Sequence, residues 1–391
     1  MTESISIPPV ALPPLGTDPP RAAYIHVPFC VHRCGYCDFT LVAGRDDLMD
    51  DYLEALELEL RRQVQTQRTL DTLFLGGGTP SHLTVPALKK LFTLLNEWFE
   101  LTTGYEFSIE VNPAGLSIEK MDLFREAGIN RISLGLQSFD DEILRTLERD
   151  HRYADIEQVV PQLQERFENV SFDLIFGAPG ESLDLWQETL TRAISFQPQH
   201  ISTYGLTYEK GTTFWKRRER GELVQQPEEV EQKMYDRAMS FLPGQGYDQY
   251  EISNFAQAGF ACRHNQVYWN GYSYYGLGPG AARYLDGVRT TNHRSVFNWL
   301  NRTLAGGSGD GETEELNPEE KARELAVIQL RTIPGIPIGP FHERSKFDLF
   351  DLAGPVIDHY VESGWLEMTD SHVRLTKAGR FVADTLVVDF L

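Results

Sequence analysis

The sequence predicts an α/β fold: a partial (β/α)6 barrel, TIM-like but not closed, followed by a C-terminal α+β unit of winged-helix type. Three observations carry that prediction. Short strand-like segments alternate with helical patterns six times through the first two thirds of the chain, as consecutive β–α units do. Those segments are nearly continuous in apolar residues, as expected of parallel strands covered by helices. Polar and glycine-rich residues gather at the ends of the segments, where such folds keep their chemistry. Six units are too few for the usual eight-stranded barrel, so an incompletely closed sheet is expected.

Residues 1–20 (MTESISIPPVALPPLGTDPP) are proline-rich, with neither a basic start nor an apolar stretch, so they read as a disordered arm and not as an export signal. The strands follow as YIHVPF (24–29), TLFLGGG (72–78), EFSIEVNP (106–113), RISLGLQSF (131–139), FDLIFGAP (172–179) and HISTYGLTY (200–208). After the first, Leu48, Tyr52, Ala55, Leu56 and Leu60 make an apolar stripe of helical period. Pro161 is expected to kink or shorten a later helix, and Ser182 to cap the one that carries Trp186, Leu190, Ala193 and Ile194. These elements form a core over residues 21–245. An aromatic, glycine-rich segment occupies 246–302, and AGGSGDGETEE marks a flexible insertion at 303–316. Asn317-Pro318 opens the last unit, 317–391, in cap-then-first-turn order. That unit reads as a helix ending near Gly364, a hairpin turning at Asp370-Ser371, and a final helix after Thr376.

Charge and composition narrow the class. A net charge of −21 with scattered Lys and Arg opposes a phosphate backbone, so no nucleic-acid partner is expected. No stretch approaches the roughly 18 consecutive apolar residues of a membrane span. Four unevenly spaced cysteines make no disulfide framework, which places the protein in a reducing cytoplasm.

Three of those cysteines, Cys30, Cys34 and Cys37, stand in CVHRCGYCDF with C-x3-C-x2-C spacing, on the loop after the first strand. A structural zinc wants four ligands, and there is no second cysteine pair, although His26, His32 or Asp38 would complete a tetrahedron. Inert buried thiols are a third reading, ill matched to a polar loop beside His32 and Arg33. A [4Fe–4S] cluster normally takes four thiolates, so three leave one iron open to a small molecule. On spacing alone, cluster and zinc both stand. With Tyr36 just before its last cysteine, the motif resembles the signature of the radical S-adenosylmethionine (radical SAM) superfamily. That resemblance implies a [4Fe–4S] cluster whose open iron is chelated by the amino and carboxylate groups of S-adenosyl-L-methionine. It also implies reductive cleavage of that sulfonium to methionine and a 5′-deoxyadenosyl radical.

GGGTPS (76–81) lets the backbone approach a ligand closely, or makes a tight strand-to-helix turn capped by Ser81. The superfamily keeps a glycine-rich segment here that meets the amino group of S-adenosylmethionine, so Gly78, Thr79 and Pro80 become expected contacts. Glu110, Gln137, Arg149 and Asp173 lie at or just beyond strand ends, and a buried charge there needs a polar cavity or a counter-charge. Carboxylates would accept ribose hydroxyls and Arg149 would pair with the methionine carboxylate; an ion-pair network around the rim is the plainer alternative. Thr207, Tyr24 and Tyr36 complete the expected cofactor set, and Tyr24 also suits an ordinary strand tyrosine.

The segments YIHVPFC, CGYCDF, GGGTPS, ISLGLQSF, DLIFGAPGE, YEISNFA, RHNQVYW and GLGPGA resemble the oxygen-independent coproporphyrinogen III oxidase-like family from about residue 22 to the C-terminus. True dehydrogenases of that family convert two propionates to vinyl groups. They carry a further cysteine where this chain has Phe39, and a longer segment before the motif. The HemW-type haem chaperones keep the radical SAM core and bind haem for delivery to an acceptor protein; CGYCDF and RHNQVYW match that branch. The resemblance therefore implies haem as a ligand and His264 as its contact, with Asn265, Tyr268 and Trp269 completing the H-N-x-x-Y-W motif. It implies an acceptor protein too, of unknown identity, membrane-associated ones included. Read from the residues alone, His264 and Asn265 serve as well as satisfied polar groups in an aromatic core, and Cys262 as a buried thiol. The alternative function is a coproporphyrinogen III dehydrogenase or a related radical enzyme, such as a methyltransferase, acting on a small aromatic substrate.

Overall fold

A computed structural model describes residues 13–391. Its body is six parallel strands paired in chain order: β1 (Ala22–Val27), β2 (Arg68–Gly77), β3 (Phe99–Val111), β4 (Arg131–Gln137), β5 (Val170–Phe176) and β6 (His200–Gly205). Helices return the chain between strands and cover the outer face. Tyr52, Leu56 and Leu60 of the helix Met49–Gln63, Leu88, Leu91 and Leu95 of Val85–Trp98, and Trp186 and Leu190 of Leu183–Ser195 share one core with Ile25, Leu75, Ile109, Leu134, Phe172 and Ile201. Each fully buried side chain of this kind contributes roughly 1.5–3 kcal/mol. Ser182 caps the Trp186 helix through its hydroxyl, which accepts from Leu185 N at 3.1 Å. Pro161 lies inside a helix that runs from Tyr153 to Gln164.

The near-continuous apolar character expected of the strands holds only for their outward residues. On β4, Ile132, Leu134 and Leu136 enter the core while Arg131, Ser133 and Gly135 line a cavity. The same alternation sets Ile201 against His200, Ser202 and Tyr204 on β6. The barrel interior is thus an open cavity lined by polar and apolar side chains together, not a packed layer of aliphatic ones.

The segment 246–302, expected to stand apart, completes the same sheet. Asn254–Ala256 runs antiparallel to β6, Asp248–Gln249 pairs beyond it, and Tyr275–Leu277 adds parallel to β1. The result is a nine-stranded open sheet, its two edges joined by the helix Arg263–Trp269. Phe255, Tyr275 and Leu277 bury in the main core, which explains the continuity. The stretch 303–316 is not flexible throughout, because Asp310–Glu314 pairs antiparallel with Val288–Asn292. Arg283–Asp310 at 2.8 Å and Arg289–Glu314 at 3.0 Å tie that charged strand down, and such cross-strand ion pairing leaves no hydropathy signal.

The C-terminal unit has its own core of Leu325, Leu330, Phe341, Ile357, Val373 and Leu386. The helices Pro318–Leu330, Ile338–Ser345 and Leu349–Glu362 pack with a three-stranded sheet in the order Ile336–Pro337, His372–Leu375, Leu366–Met368. Of the arm expected to be disordered, residues 1–12 lie outside the described residues. The rest is held in place. Leu15 N donates to Arg344 O at 3.3 Å, and Asp18 accepts from Ser273 N at 2.7 Å. Arg344 also donates to the carbonyls of Asn270 and Gly271, so this arm and the C-terminal unit both clasp the end of the Arg263–Trp269 helix. Among the described residues, no helix is long and apolar enough to cross a membrane.

Candidate cofactor and ligand site

The barrel interior holds a cavity of about 570 Å³, within the roughly 300–1,000 Å³ typical of small-molecule sites. The cysteine loop forms one wall of its rim. Arg33 organises that loop, donating to the carbonyls of Cys37 and Phe39 at 3.2 Å each and of Leu41 at 2.8 Å. Cys30, Cys34 and Cys37 all face the cavity. Cys30 Sγ lies 3.3 Å from Thr79 Oγ1, and Arg149 Nη1 lies 3.6 Å from Cys34 Sγ. Burial pushes the Cys30 thiol up to about 11 and raises Cys37 as well. Thiols so placed stay protonated in the empty site, and a bound metal or cluster displaces their protons to solvent.

Among the described residues, no three His, Cys, Asp or Glu side chains converge to hold a single metal ion. His26, one of the residues that would have completed a zinc site, is engaged by Thr40 O at 2.6 Å and Tyr24 Oη at 3.1 Å. Three separate thiols around an open cavity, flanked by a hydroxyl and a guanidinium, fit a cluster with one free iron.

The second wall is the glycine loop. Gly77 has φ of +109°, and a Cβ there would sit 2.4 Å from the His26 ring. The amide of Gly77 donates to Glu110 Oε2 at 2.9 Å, while Gly78 N and Thr79 N bond to Val27 O and Phe29 O at 2.8 Å. This lacing of loop to loop brings Gly78 and Thr79 to the cavity wall.

Strand ends supply the third wall. Burial, with the Asp173 charge nearby, lifts Glu110 to about 7 against the pull of the Gly77 hydrogen bond. Burial also raises Asp173, opposed by the hydroxyls of Ser202 at 2.8 Å and Ser133 at 2.9 Å. Gln137 sits at a β-bulge with φ of +65°, an uncommon backbone for a non-glycine residue, and lines the cavity with Arg131, Ser133 and Gly135 of the same strand. Burial alone would weaken the positive charge of Arg149, but Tyr36, Cys34 and Asp150 raise it. Its Nη2 donates to Gly135 O at 3.0 Å, and its buried Nε has no hydrogen-bond partner among the described residues. A guanidinium beside a thiol of the cysteine loop, lining the cavity, suits an incoming carboxylate. Burial opposes ionisation of Asp150, yet nearby His151, the hydrogen bond from Asn112 Nδ2 at 3.0 Å and the Arg149 charge hold it well below the usual carboxylate range.

The cavity therefore gathers Cys30, Cys34, Tyr36, Cys37, Gly78, Thr79, Glu110, Gln137, Arg149, Asp173 and Thr207. Tyr24, Pro80 and His264 are not among its lining residues. Tyr24 turns to His26, and Pro80 begins the turn Pro80–His82. His264 lies beneath the barrel. Glu106 caps its helix, accepting from Arg263 N at 2.9 Å, His264 N at 3.1 Å and Cys262 Sγ at 3.4 Å. His264 Nδ1 meets Thr72 Oγ1 at 2.9 Å and Nε2 meets Tyr268 Oη at 2.8 Å, with the ring against Phe74. Burial and the Arg131 charge lower it to about 3, so the ring is neutral with both nitrogens engaged. Its position is that of a satisfied core histidine, and Asn265 is the motif residue that reaches the cavity. Sequence reasoning missed Arg131, Ser133, His200, Ser202 and Tyr204 as lining residues. Their signal was present in the period-two alternation of polar and apolar residues along strands read as uniformly apolar.

Known proteins resemble this chain in sequence and in fold. The radical SAM superfamily model matches residues 24–193, and the HemN C-terminal domain model matches 316–382. The protein named heme chaperone HemW of Bacillus subtilis (strain 168) is 36% identical over 375 residues, spanning 95% of this chain and 99% of that one. The chain belongs to the HemW family of the radical SAM superfamily. Another HemW relative, from Synechocystis sp., is 38% identical over 327 residues, covering 81% of this chain and 79% of its own length. Among solved structures, Escherichia coli coproporphyrinogen III oxidase (HemN), a radical SAM enzyme, superposes with a TM-score of 0.84. That match covers 97% of this chain and 91% of the other at 22% identity, so it establishes the common fold. Membership of the superfamily implies a [4Fe–4S] cluster and S-adenosylmethionine, and the rim geometry suits both.

Proposed function

We propose that this HemW-family protein is a cytoplasmic haem chaperone that carries a [4Fe–4S] cluster and S-adenosylmethionine and passes haem to an acceptor protein. The observation that carries this reading is the make-up of the cavity mouth. Three thiols stand there without a fourth, and Val31 and Phe39 flank them with 61% and 56% of their surfaces exposed. Large apolar side chains left bare beside a cofactor loop suit a flat apolar macrocycle. The relatives' names as heme chaperones support the same reading.

Each group on the chain has a task in it. Cys30, Cys34 and Cys37 would hold the cluster, which when bound supplies one-electron chemistry and an open iron for the cosubstrate. Arg149 would supply the positive charge that meets the methionine carboxylate. The backbone of Gly78 and Thr79 and the strained Gln137 position the amino-acid end, and Glu110 and Asp173 accept ribose hydroxyls. His264 holds the floor in place and, through its helix, presents Asn265 to the cavity.

Anaerobic haem titration of the cluster-reconstituted protein tests the proposal, with the double variant Val31→Ser, Phe39→Ser alongside. A saturable, near-stoichiometric Soret change that weakens in the variant is the expected result. Absence of saturable binding overturns it, and decarboxylation of coproporphyrinogen would instead mark the protein as an oxidase.

A further inference from the structure

The cavity has two cationic ends, and only one of them is accounted for by the cosubstrate. Arg149 stands at the rim beside Cys34. Arg131 is the first residue of β4, and Gln137 is the last. Arg149 is bonded to Gly135 O, and four residues of extended strand separate Gly135 from Arg131 by roughly 13 Å. A single carboxylate cannot serve both.

Arg131 is 2% exposed and lines the cavity, and its Nε has no hydrogen-bond partner among the described residues. Glu106 and Asp173 act on it only through space. Both are already engaged, Glu106 by the amides of Arg263 and His264 and by Cys262 Sγ, and Asp173 by the Ser133 and Ser202 hydroxyls. The neighbouring histidines are engaged as well. His200 is bonded to Ser171 and Tyr250 at 2.7 Å each, and His264 to Thr72 and Tyr268. What remains is a buried guanidinium that lines the cavity together with Asn265, acts on Glu110 as well only through space, and has an Nε with no hydrogen-bond partner among the described residues. Buried charges are normally paired and hydrogen-bonded, and a planar fork is matched by a carboxylate.

We infer that the floor of the cavity is a carboxylate subsite in which Arg131, with Asn265 as a lining neighbour, receives the anionic arm of the ligand that fills the space above. The identity of that ligand rests on the proposed function: if haem enters, the arm is a propionate, and otherwise it belongs to a free small carboxylate. Arg131 would then discriminate acid from ester or amide at a point distant from the cluster.

Calorimetric titration of the full-length, cluster-reconstituted protein tests this with two pairs of probes: propionate against propionamide, and haem against haem dimethyl ester. The wild type should bind propionate saturably and propionamide not at all, and should prefer haem to its diester about ten- to hundredfold. Arg131→Met should lose both preferences, and Arg131→Lys, which keeps the charge without the fork, should retain a reduced one. Should Arg131→Met fail to fold, as judged by circular dichroism, the wild-type preferences and Arg131→Lys decide. Propionate binding without haem binding supports the subsite and removes the haem reading. Haem binding without preference over the diester, together with equal binding of propionate and propionamide, overturns the subsite and leaves the chaperone standing. Preferences that survive in Arg131→Met overturn it too.

Discussion

The rim and the floor of the cavity are built on opposite plans. At the rim, three short loops each bring their own motif, and polar groups face the cavity with few or no strong partners: three thiols, Arg149 with its unpartnered Nε, and a bulged Gln137. At the floor, single residues from the starts of strands meet a helix from far along the chain, and nearly every polar group is satisfied. The difference teaches that openness, not polarity, marks where ligands act. His264 is as polar as Arg149 and belongs to a conspicuous motif, yet its two nitrogens are engaged inside the protein.

The strongest way to break this contrast is at the rim. Cys34→Ala should empty the site: iron and sulfide measured after anaerobic reconstitution fall from about four per chain to nearly none, while the unfolding midpoint of the cluster-free protein barely moves. Retention of iron and of visible absorbance would remove the cluster assignment.

At the floor the expectation is reversed, with a large effect on stability. His264→Ala strips partners from Thr72 and Tyr268 and opens a hole beside Phe74, which should cost about 3–4 kcal/mol in urea unfolding of the cluster-free chain. A variant of unchanged stability that has lost haem binding would make His264 a ligand and dissolve the distinction.

Glu110 sharpens the comparison because it lies at the rim yet is buried. Its folded value of about 7 exceeds the ordinary 4.5, so the stability it contributes is fully present below about pH 4.5 and is lost as pH rises through 7. Glu110→Gln lacks that loss. Its stability relative to wild type should therefore rise by on the order of 2–3 kcal/mol between pH 4.5 and pH 8, read from urea titrations at both values. A difference that is flat with pH would show that Glu110 stays ionised.

The smallest effect is expected at Thr207, exposed on the rim. Thr207→Ala should shift stability by no more than about 0.5 kcal/mol and weaken cosubstrate binding by roughly tenfold or less, as equilibrium dialysis would measure. A stability loss above 1 kcal/mol would mean that the rim, too, is part of the scaffold.

The sequence by itself determined the rim. Cysteine spacing, the glycine run and the carboxylates closing strands are encoded within a few residues of one another, and the β–α alternation places each at the same end of the sheet. The open barrel and the separate C-terminal unit were legible for the same reason, since helical and strand periods are local. Tertiary structure alone decided the floor, the packing of residues 13–20 and the pairing of Asp310–Glu314. Glu106 meets His264 across 158 residues of chain and Thr72 meets it across 192. Whether a buried histidine or arginine is satisfied or left free depends on such distant partners, whose geometry no local pattern specifies. That physical fact separates His264, which the sequence made prominent and the fold saturates, from Arg131, which the sequence hid at the start of a strand and the fold leaves unmatched.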